Sequence, residues 1–401
     1  PGSAFFPEVF FRIFGPQDWA FYLLSQIFVV SSFYIVFKFS NEILSDGVLS
    51  LLSVFLLEGI FFYNFTTPEF NVNIAQLPFW ALSIYFTWRC IKSDKSFDYI
   101  LLGLFVGLGF LSKYLFIYLI LGIKLLFLYS LIRKKINSYK FLLAGITAII
   151  VIIPHLIWLF DNNYITLKYG IHRTGGVGDI TAHFIFPLTF ILKQIIILLP
   201  LLIMSSLLLK KIKFKKIKFN KNHEFIFFIF ILPIILIIFT SAILGVKIRT
   251  MWMTPFYLLI GVTIIEIFKK NIDLKKTRKF FIIFIILFSF SPIAYTSVSL
   301  IDEFKRTDYP GKEIARLVQN RWDENFTNEI KLVIGDEWYA GNLSYHLESR
   351  PRWIIELNEK FKEISPNQGV IYTGNPKILK SICPGVYGTI KPVGYCMIGQ
   401  R

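Results

Sequence analysis

The chain of 401 residues is 55% hydrophobic and includes 44 phenylalanines. This apolar content excludes a soluble globular protein and indicates a polytopic membrane protein. The formal net charge of +17 does not indicate nucleic-acid binding, because most basic residues lie in short runs between apolar segments, as membrane topology requires. The three cysteines have no CxxC or other metal-ligand spacing, which disfavours a zinc site.

Ten apolar segments are long enough to be membrane helices, since about 20 helical residues cross a bilayer. The run from Tyr99 to Ile132 is too long for one span and fits two short helices that meet near Lys113. The segments cover residues 20–37, 43–63, 71–92, 97–112, 114–132, 140–161, 184–209, 224–243, 251–268 and 280–298. They predict a mainly α, polytopic transmembrane domain over residues 1–299.

The basic residues between these segments fall mainly on one side of the membrane. One set of alternate loops contains 21 lysines and arginines, and the other set contains six. Cytoplasmic loops carry such an excess, so the richer set is predicted to be cytoplasmic. The alternation holds only if residues 97–132 form a hairpin with Lys113 at the outer surface.

Residues 300–401 are then predicted to lie outside the membrane, in the periplasm of a bacterium. The stretches IKLVIG, RWIIEL and GVIYTG are typical of short buried strands, so we predict a small α/β domain here. Cys383 and Cys396 share this oxidising side, where a disulfide and two buried thiols remain open alternatives. The polar segment 162–183 is predicted to be an outer loop with an interfacial helix near Ile165–Ile171.

Sorting the polar residues by side gathers an unusual set at the predicted outer surface. Cations outnumber carboxylates there, which favours a receptor for an anionic headgroup, and phosphate is the natural candidate. The set contains Glu69, Lys113, Tyr114, His155, Asp161, Lys168, His172, Arg173, Asp179, His183, Lys247 and Arg249.

Each of these residues also has a structural interpretation. Basic side chains at membrane surfaces commonly snorkel, and Tyr114 and Trp252 fit an aromatic belt. His155 fits a satisfied core histidine, and Glu69 fits a cap of the helix beginning near Asn71. The histidines lack the H-E-x-x-H spacing, so no metal-binding residue is predicted, although a divalent cation stays open as a cofactor. Those near helix ends are able to snorkel among the few charges that lie within the spans, which are Glu58, Lys124, Lys193 and Glu266.

Several stretches resemble a known family. TTPEFNVNIAQLPFWAL, LLGLFVGLGFLSKYLFIYLI and IIPHLIWLFDNNY resemble bacterial GT-C membrane glycosyltransferases related to protein O-mannosyltransferases and to transferases that add aminoarabinose or galacturonic acid to lipopolysaccharide. GVKIRTMWMTPFYLL is similar to the late outer loop and span of this family. DYPGKEIARLVQNRW and GDEWYAGNLSYHLESRP resemble the extracytoplasmic domain of one bacterial branch. The resemblance covers most of the chain, but its diffuse motifs do not identify the substrate.

The resemblance implies transfer of a sugar from a polyprenyl-phosphate carrier to a hydroxyl of a lipid, glycan or protein on the outer face of the bacterial inner membrane. In such chemistry a carboxylate is the general base for the acceptor, and cations stabilise the departing phosphate. Glu69 stands where many relatives have aspartate after Thr-Pro, which makes it the candidate base, and Lys113-Tyr114 stand at the Lys-Tyr pair of the family. The expected phosphate-binding residues are Lys113, Tyr114, Lys168, Arg173, Lys247 and Arg249, and the expected substrate-binding residues are Asn71, His155, Asp161 and His172.

The family also has an acidic pair in its first outer loop, and this chain contains no such pair near its beginning. Because PGSAFFPEVFF has neither an initiator methionine nor a signal-peptide region, we expect the natural amino terminus, with the main base, to lie upstream of Pro1. Two alternatives are a transporter or flippase for lipid-linked sugars and a non-catalytic binding subunit. Transport is disfavoured because the spans contain few charges, and the binding subunit is favoured only if the chain is complete.

Overall fold

The structure, a computed structural model, separates into two compact units, Pro1–Ala294 and Tyr295–Arg401. It describes residues 2–133, 138–174, 179–210, 220–301, 309–354, 366–390 and 393–401, without the side chains of residues 138, 139, 172, 173 and 366. The first unit is helical, and the second contains a five-stranded sheet. The predicted fold class, a helical membrane protein with a small α/β domain at its carboxyl end, is therefore confirmed.

The apolar runs of the first unit fold into helices, which satisfy every backbone polar group internally where a bilayer offers no partner. The helices are α1 (Gly2–Phe14), α2 (Asp18–Leu44), α3 (Gly47–Phe55), α4 (Phe61–Asn64), α5 (Val72–Ala75), α6 (Leu77–Ser93), α7 (Ser96–Ser112), α8 (Ile117–Ile132), α9 (Ser138–Asp161), α10 (Ile165–Arg173), α11 (Ala182–Leu208), α12 (Lys221–Ile226), α13 (Leu232–Leu244), α14 (Ile260–Phe268) and α15 (Thr277–Ile301). Short turns of 3-10 helix at Leu56–Gly59, Tyr114–Phe116, Thr250–Met253 and Pro255–Leu259 interrupt the series.

Within the described residues, seven helical segments are long and apolar enough to cross a membrane. They are Asp18–Leu44, Tyr114–Ile132, Lys140–Asp161, Ala182–Leu208, Lys221–Leu244, Thr250–Asn271 and Leu274–Ile301. Gly47–Gly59 and Ser96–Ser112 are shorter apolar helices. All ten predicted spans contain helix, and the run from Tyr99 to Ile132 is divided at Lys113 as predicted.

The predicted span 43–63 is not one continuous helix. It is divided into α3, a 3-10 turn at Leu56–Gly59 and α4. At this turn a Cβ atom on Gly59 would lie 2.7 Å from the Cα and backbone nitrogen of Leu201 in α11. The residue without a side chain therefore allows two backbones to approach closely where the helix is interrupted.

The hairpin between α7 and α8 depends on a second close approach. A Cβ atom on Gly109 would lie 2.1 Å from the ring of Phe116, so only glycine leaves room for this aromatic side chain at the tip. Phe116 is fully buried, and its backbone N–H donates to the carbonyl of Lys113 at 3.0 Å. The packed ring and this hydrogen bond hold Lys113 at the point where the chain reverses.

The second unit is a sheet of order β2-β1-β3-β5-β4 with helices on both faces. The first three strands in this order are parallel, and β5 is antiparallel to both of its neighbours. The strands are β1 (Leu332–Ile334), β2 (Arg352–Ile354), β3 (Val370–Gly374), β4 (Val386–Ile390) and β5 (Val393–Ile398), and the helices are α16 (Gly311–Asp323), α17 (Tyr339–His346) and α18 (Pro376–Ile382). The three predicted strands are present, whereas β4 and β5 were not predicted.

Hydrophobic packing divides the second unit into three layers. On one face of the sheet, α16 and α17 pack against side chains of β1, β3 and β5 around the buried Trp322. On the other face, α18 packs through Leu379. Cys383, at the end of α18, forms a disulfide with Cys396 in β5, so of the two alternatives for these cysteines the structure has the disulfide.

Candidate functional site

Lys113 lies between α7 and the Tyr114–Phe116 turn with an extended backbone. Its Nζ donates a hydrogen bond to Oδ1 of Asn73 at 2.5 Å and lies 5.0 Å from the centroid of the Trp252 ring. The amide oxygen and the negative face of the indole both stabilise an ammonium group that has lost water. No carboxylate among the described residues lies within ion-pair distance of Lys113, so its other N–H donors can take an anion.

Asn73 is positioned by the short helix α5. The side chain of Asn71 caps this helix by accepting hydrogen bonds from the backbone N–H groups of Asn73 at 2.9 Å and Ile74 at 3.4 Å. The interpretation of Glu69 as the cap is therefore wrong, because Asn71 stands at the N-cap position, where its side chain accepts hydrogen bonds from the first free amides. The side chain of Glu69 is exposed in the same connection, and its backbone carbonyl accepts a hydrogen bond from Asn71 at 3.1 Å.

Tyr114 joins three elements through its hydroxyl. This group lies 2.7 Å from Nε2 of His155 in α9 and 2.6 Å from Oγ1 of Thr166 in α10. His155 also stacks between the rings of Tyr114 and Trp158, at centroid distances of 5.9 and 5.6 Å. Tyr114 and His155 therefore position one another beside the hairpin tip.

A cavity of about 580 Å³ lies between α11 and the segment that leads into the Thr250–Met253 turn. Val246 and Ile248 in this segment are buried, whereas Lys247 and Arg249 are exposed. This alternation is that of an extended chain, in which every second side chain points the same way, so Lys247 and Arg249 share one face. The lining residues are Thr174, Phe186, Thr189, Phe190, Lys193, Lys247, Ile248, Arg249, Thr250 and Met251.

Lys193 adds a third cation to this cavity. None of Lys193, Lys247 and Arg249 forms a salt bridge with a described carboxylate. Gln194, next to Lys193, ties α11 to the opposite wall, since its Nε2 donates to the carbonyl of Thr250 at 3.4 Å. We call this cavity, with Lys193, Lys247 and Arg249 in its lining, the cationic cavity.

One segment links the cationic cavity to Lys113. Lys247 and Arg249 line the cavity, and three residues further on Trp252 supplies the ring under the ammonium group of Lys113. A backbone hydrogen bond of 3.0 Å from Trp252 to the carbonyl of Arg249 fixes the turn between them. The cations of α11, of the hairpin tip and of this segment are therefore linked through the contacts that the segment makes with both.

The structure does not bring every predicted site residue into these contacts. Asp161 and Lys168 are exposed on α9 and α10, and Asp179 accepts a hydrogen bond from Thr181 at 2.9 Å. The side chains of His172 and Arg173 lie outside the described residues. In the part of the chain that is described, no three His, Cys, Asp or Glu side chains form a group that could hold a metal ion.

Sequence reasoning missed four contributors, which are Asn73, Thr166, Lys193 and Trp252. Lys193 is predicted only as one of the few charges within the spans, although a lone cation in the apolar run 184–209 is itself a signal of function. Trp252 was assigned to the aromatic belt, and its contact with Lys113 joins residues distant in sequence. Thr166 carried no signal, because a single threonine in a polar loop is ordinary.

Comparisons with known proteins agree with this architecture. Residues 1–158 match the family of dolichyl-phosphate-mannose-protein mannosyltransferases, and no curated protein matches the sequence. The chain is similar to the crystal structure of ArnT from Cupriavidus metallidurans bound to undecaprenyl phosphate, with 10% identity and a TM-score of 0.63 over 98% of this chain and 87% of that chain. For the apo state of the same protein, the identity is 11% and the TM-score 0.61, over 99% of this chain and 87% of that chain.

These likenesses agree with the predicted resemblance, through a family match over part of the chain and a shared fold over nearly all of it. The family match rests on the amino-terminal helices, including the Lys113 hairpin and most of α9. The structural likeness extends over the carboxyl-terminal unit as well. The chain therefore has the fold of ArnT along nearly its whole length, and residues 1–158 match the dolichyl-phosphate-mannose-protein mannosyltransferase family.

Proposed function

We propose that the protein is an integral membrane glycosyltransferase that moves a sugar from a polyprenyl-phosphate carrier to a hydroxyl of a lipid, glycan or protein. One observation carries the proposal: the cationic cavity and Lys113 present cations without described carboxylate partners, connected through the Lys247–Trp252 segment. A related fold binds undecaprenyl phosphate in ArnT. A phosphate monoester is the anion that such a set of lysines and an arginine would take.

The cavity suits a ligand with a charged end and an apolar tail. Lys193, Lys247 and Arg249 supply N–H donors, while Phe186 and Phe190 supply apolar walls. A polyprenyl phosphate has this combination of a small anionic head and a hydrocarbon chain. The volume of the cavity, about 580 Å³, lies within the range of small-molecule sites.

The cations also serve the chemical step. When the acceptor oxygen attacks the anomeric carbon, the bond between that carbon and the phosphate oxygen breaks and the phosphate takes the electron pair. Lysine and arginine N–H groups stabilise this growing negative charge. The proton of the acceptor hydroxyl goes to a carboxylate, for which Glu69 is the candidate because it is exposed in the connection that also positions Asn73.

The remaining candidates take supporting roles in this proposal. Tyr114 and His155 hold α9 and α10 beside the donor phosphate, and Lys168 and Arg173 extend the phosphate-binding set along α10. Asn71, Asp161 and His172 are proposed to contact the sugar or the acceptor. A divalent cation that binds together with the donor phosphate is a proposed cofactor.

We infer that the second unit lies in the periplasm of a bacterial inner membrane. The disulfide between Cys383 and Cys396 supports this side, because disulfides persist in oxidising compartments. Cys90 is a free, buried thiol close to the basic residues of a predicted cytoplasmic loop. The disulfide of the second unit and the free thiol of Cys90 therefore both agree with the orientation that the charge distribution predicts.

Binding of the carrier alone tests the phosphate site. Native mass spectrometry of the full-length protein with undecaprenyl phosphate is expected to show a complex that Arg249→Ala weakens by roughly tenfold or more, since a charge-assisted hydrogen bond contributes about 1.5–3 kcal/mol. Lys95→Ala, an exposed lysine at the start of α7, is the matched control and should bind like the wild type. Equal binding by the two variants would remove Arg249 from the site.

A further inference from the structure

One carboxyl group within the spans has no part in the transfer reaction as described so far. Glu58 lies in the 3-10 turn that interrupts the predicted span 43–63, and it is only partly exposed. Its Oε1 accepts a hydrogen bond from Nδ2 of Asn64, at the end of α4. No described lysine or arginine lies within ion-pair distance of it. A carboxyl group at this depth is costly and generally serves a function, which its partner helps to identify.

Asn64 joins the interrupted span to α15. Its Nδ2 also donates to the backbone carbonyl of Leu287 at 2.9 Å, and its Oδ1 accepts a hydrogen bond from the hydroxyl of Ser291. Ser291 is buried. The amide of Asn64 is therefore bonded through both its nitrogen and its oxygen, which fixes its orientation. We call Glu58, Asn64 and Ser291 the Asn64 cluster.

Apolar packing does little to hold α15 in place. Only 6% of the most apolar part of the segment Leu274–Ile301 is buried, against 22–61% in the other six candidate spans. Within α15 itself, Phe280 and Ser291 are the buried residues. Lipid is as apolar as the surface of such a helix, so hydrogen bonds between spans contribute to its position. The Asn64 cluster supplies these bonds.

The chain after Asn64 leads to Glu69, the candidate base. The hydroxyl of Thr67 donates to the backbone carbonyl of Asn64 at 3.1 Å. The carbonyl of Thr67 accepts hydrogen bonds from Ser25 at 2.5 Å and from Gln26 at 3.3 Å, both in α2. Beyond Glu69 the chain is fixed again by the cap of α5. The connection that carries Glu69 is therefore anchored at both ends, and Asn64 is its anchor in the spans.

We propose that Glu58, Asn64 and Ser291 are positioning residues for the carboxylate of Glu69. The cluster fixes the end of α4 against α15, and the bond from Thr67 to Asn64 carries this position to the connection with Glu69. The inference rests on the proposed function, because it gives a support to the base of that reaction. The cations that bind the carrier phosphate lie on other elements, so loss of the cluster slows transfer without weakening carrier binding.

Two measurements on the full-length protein in nanodiscs test this separation. One is the maximal rate at which polyprenyl phosphate is released from lipid-linked sugars of the source cells, with membranes of these cells as the acceptor. The other is the affinity for undecaprenyl phosphate, from native mass spectrometry. Asn64→Leu should decrease the maximal rate by roughly tenfold or more, the scale of a small misplacement of a reacting group, and should leave the affinity unchanged.

Substitutions at Glu58 and Ser291 show whether the hydrogen bonds are what matters. Glu58→Gln keeps an oxygen that accepts from Asn64 and should retain most of the rate, whereas Glu58→Leu should be as slow as Asn64→Leu. Ser291→Ala removes one bond and should slow release several-fold. Ser206→Ala is its control, because this exposed hydroxyl donates only within α11, to the carbonyl of Ile203 at 2.8 Å, and it should behave like the wild type.

A double variant shows whether the cluster acts through the base. In the background of Glu69→Gln, Asn64→Leu should cause no further decrease, because the carboxylate that it positions is gone. An additive decrease, an unchanged rate in Asn64→Leu, or an equal loss of rate and carrier affinity would overturn this inference alone. If Asn64→Leu does not fold, Ser291→Ala in the same background decides by the same criteria. No release by the wild-type protein would overturn the proposed function together with this inference.

Discussion

Lys113 interrupts an apolar run, where an unpaired charge costs at least about 2.5 kcal/mol. The hairpin places its ammonium group against the amide of Asn73 and the ring of Trp252, and both contacts lower this cost. A residue with a hydrogen bond, a π contact and no described carboxylate partner is prepared to bind an anion. Its chemistry follows from these two contacts and the lack of a described carboxylate partner.

Removing Asn73 tests this interpretation at the residue scale. Asn73→Ala takes away the acceptor of the Lys113 ammonium, so the side chain loses its position and undecaprenyl phosphate should bind more weakly. The effect should be smaller than that of Lys113→Ala, and the double variant should be no weaker than Lys113→Ala alone. Contacting residues couple by about 0.5–3 kcal/mol, and fully additive effects would show that Asn73 acts independently of Lys113.

The site could be predicted in part from single residues. Lys113 was recognisable because it is a lone cation between apolar runs, and Lys247 and Arg249 because charge counting places them on the same side. Asn73 and Trp252 could not be assigned, since their contacts with Lys113 join residues 40 and 139 positions away. Lys193 had the same signal as Lys113, but its position in the cavity depends on how α11 packs.

At the scale of elements, the hairpin was predictable and the interrupted span was not. Charge alternation alone requires the chain to reverse at Lys113, and the structure divides α7 from α8 there. The break at Leu56–Gly59 follows from contact with α11, which no local pattern reveals. β4 and β5 were missed for a related reason, because glycines at 388 and 394 interrupt their apolar pattern.

Gly109 provides the test of the hairpin. Gly109→Ala introduces a Cβ atom 2.1 Å from the Phe116 ring, so the tip must open and Lys113 must move. Overpacking of this kind costs about 1–3 kcal/mol, and we expect both a lower melting temperature and weaker binding of undecaprenyl phosphate.

Gly145→Ala is the control for this prediction, because no atom lies within 4 Å of the added Cβ. Phe116→Leu combined with Gly109→Ala should restore part of the stability by removing the ring. If Gly109→Ala behaves like Gly145→Ala, the tight tip does not position Lys113.

At the scale of the molecule, the orientation rests on the charge distribution and the disulfide. A fusion of alkaline phosphatase to Arg401 should be active, because this enzyme requires an oxidising compartment. A fusion after Lys140, in a predicted cytoplasmic loop, should be inactive. The opposite pattern of activities would reverse the membrane orientation and place Lys113 on the inner face.

The central claim is that the protein transfers a sugar from a polyprenyl-phosphate carrier. Release of free polyprenyl phosphate from lipid-linked sugars of the source cells, incubated with membranes of the same cells that supply the acceptor hydroxyl and measured by mass spectrometry, tests it without knowledge of the sugar. The account predicts release by the full-length protein, a decrease of roughly tenfold or more with Arg249→Ala, and no change with Lys95→Ala. No release by the wild-type protein, or equal release by Arg249→Ala, would contradict it.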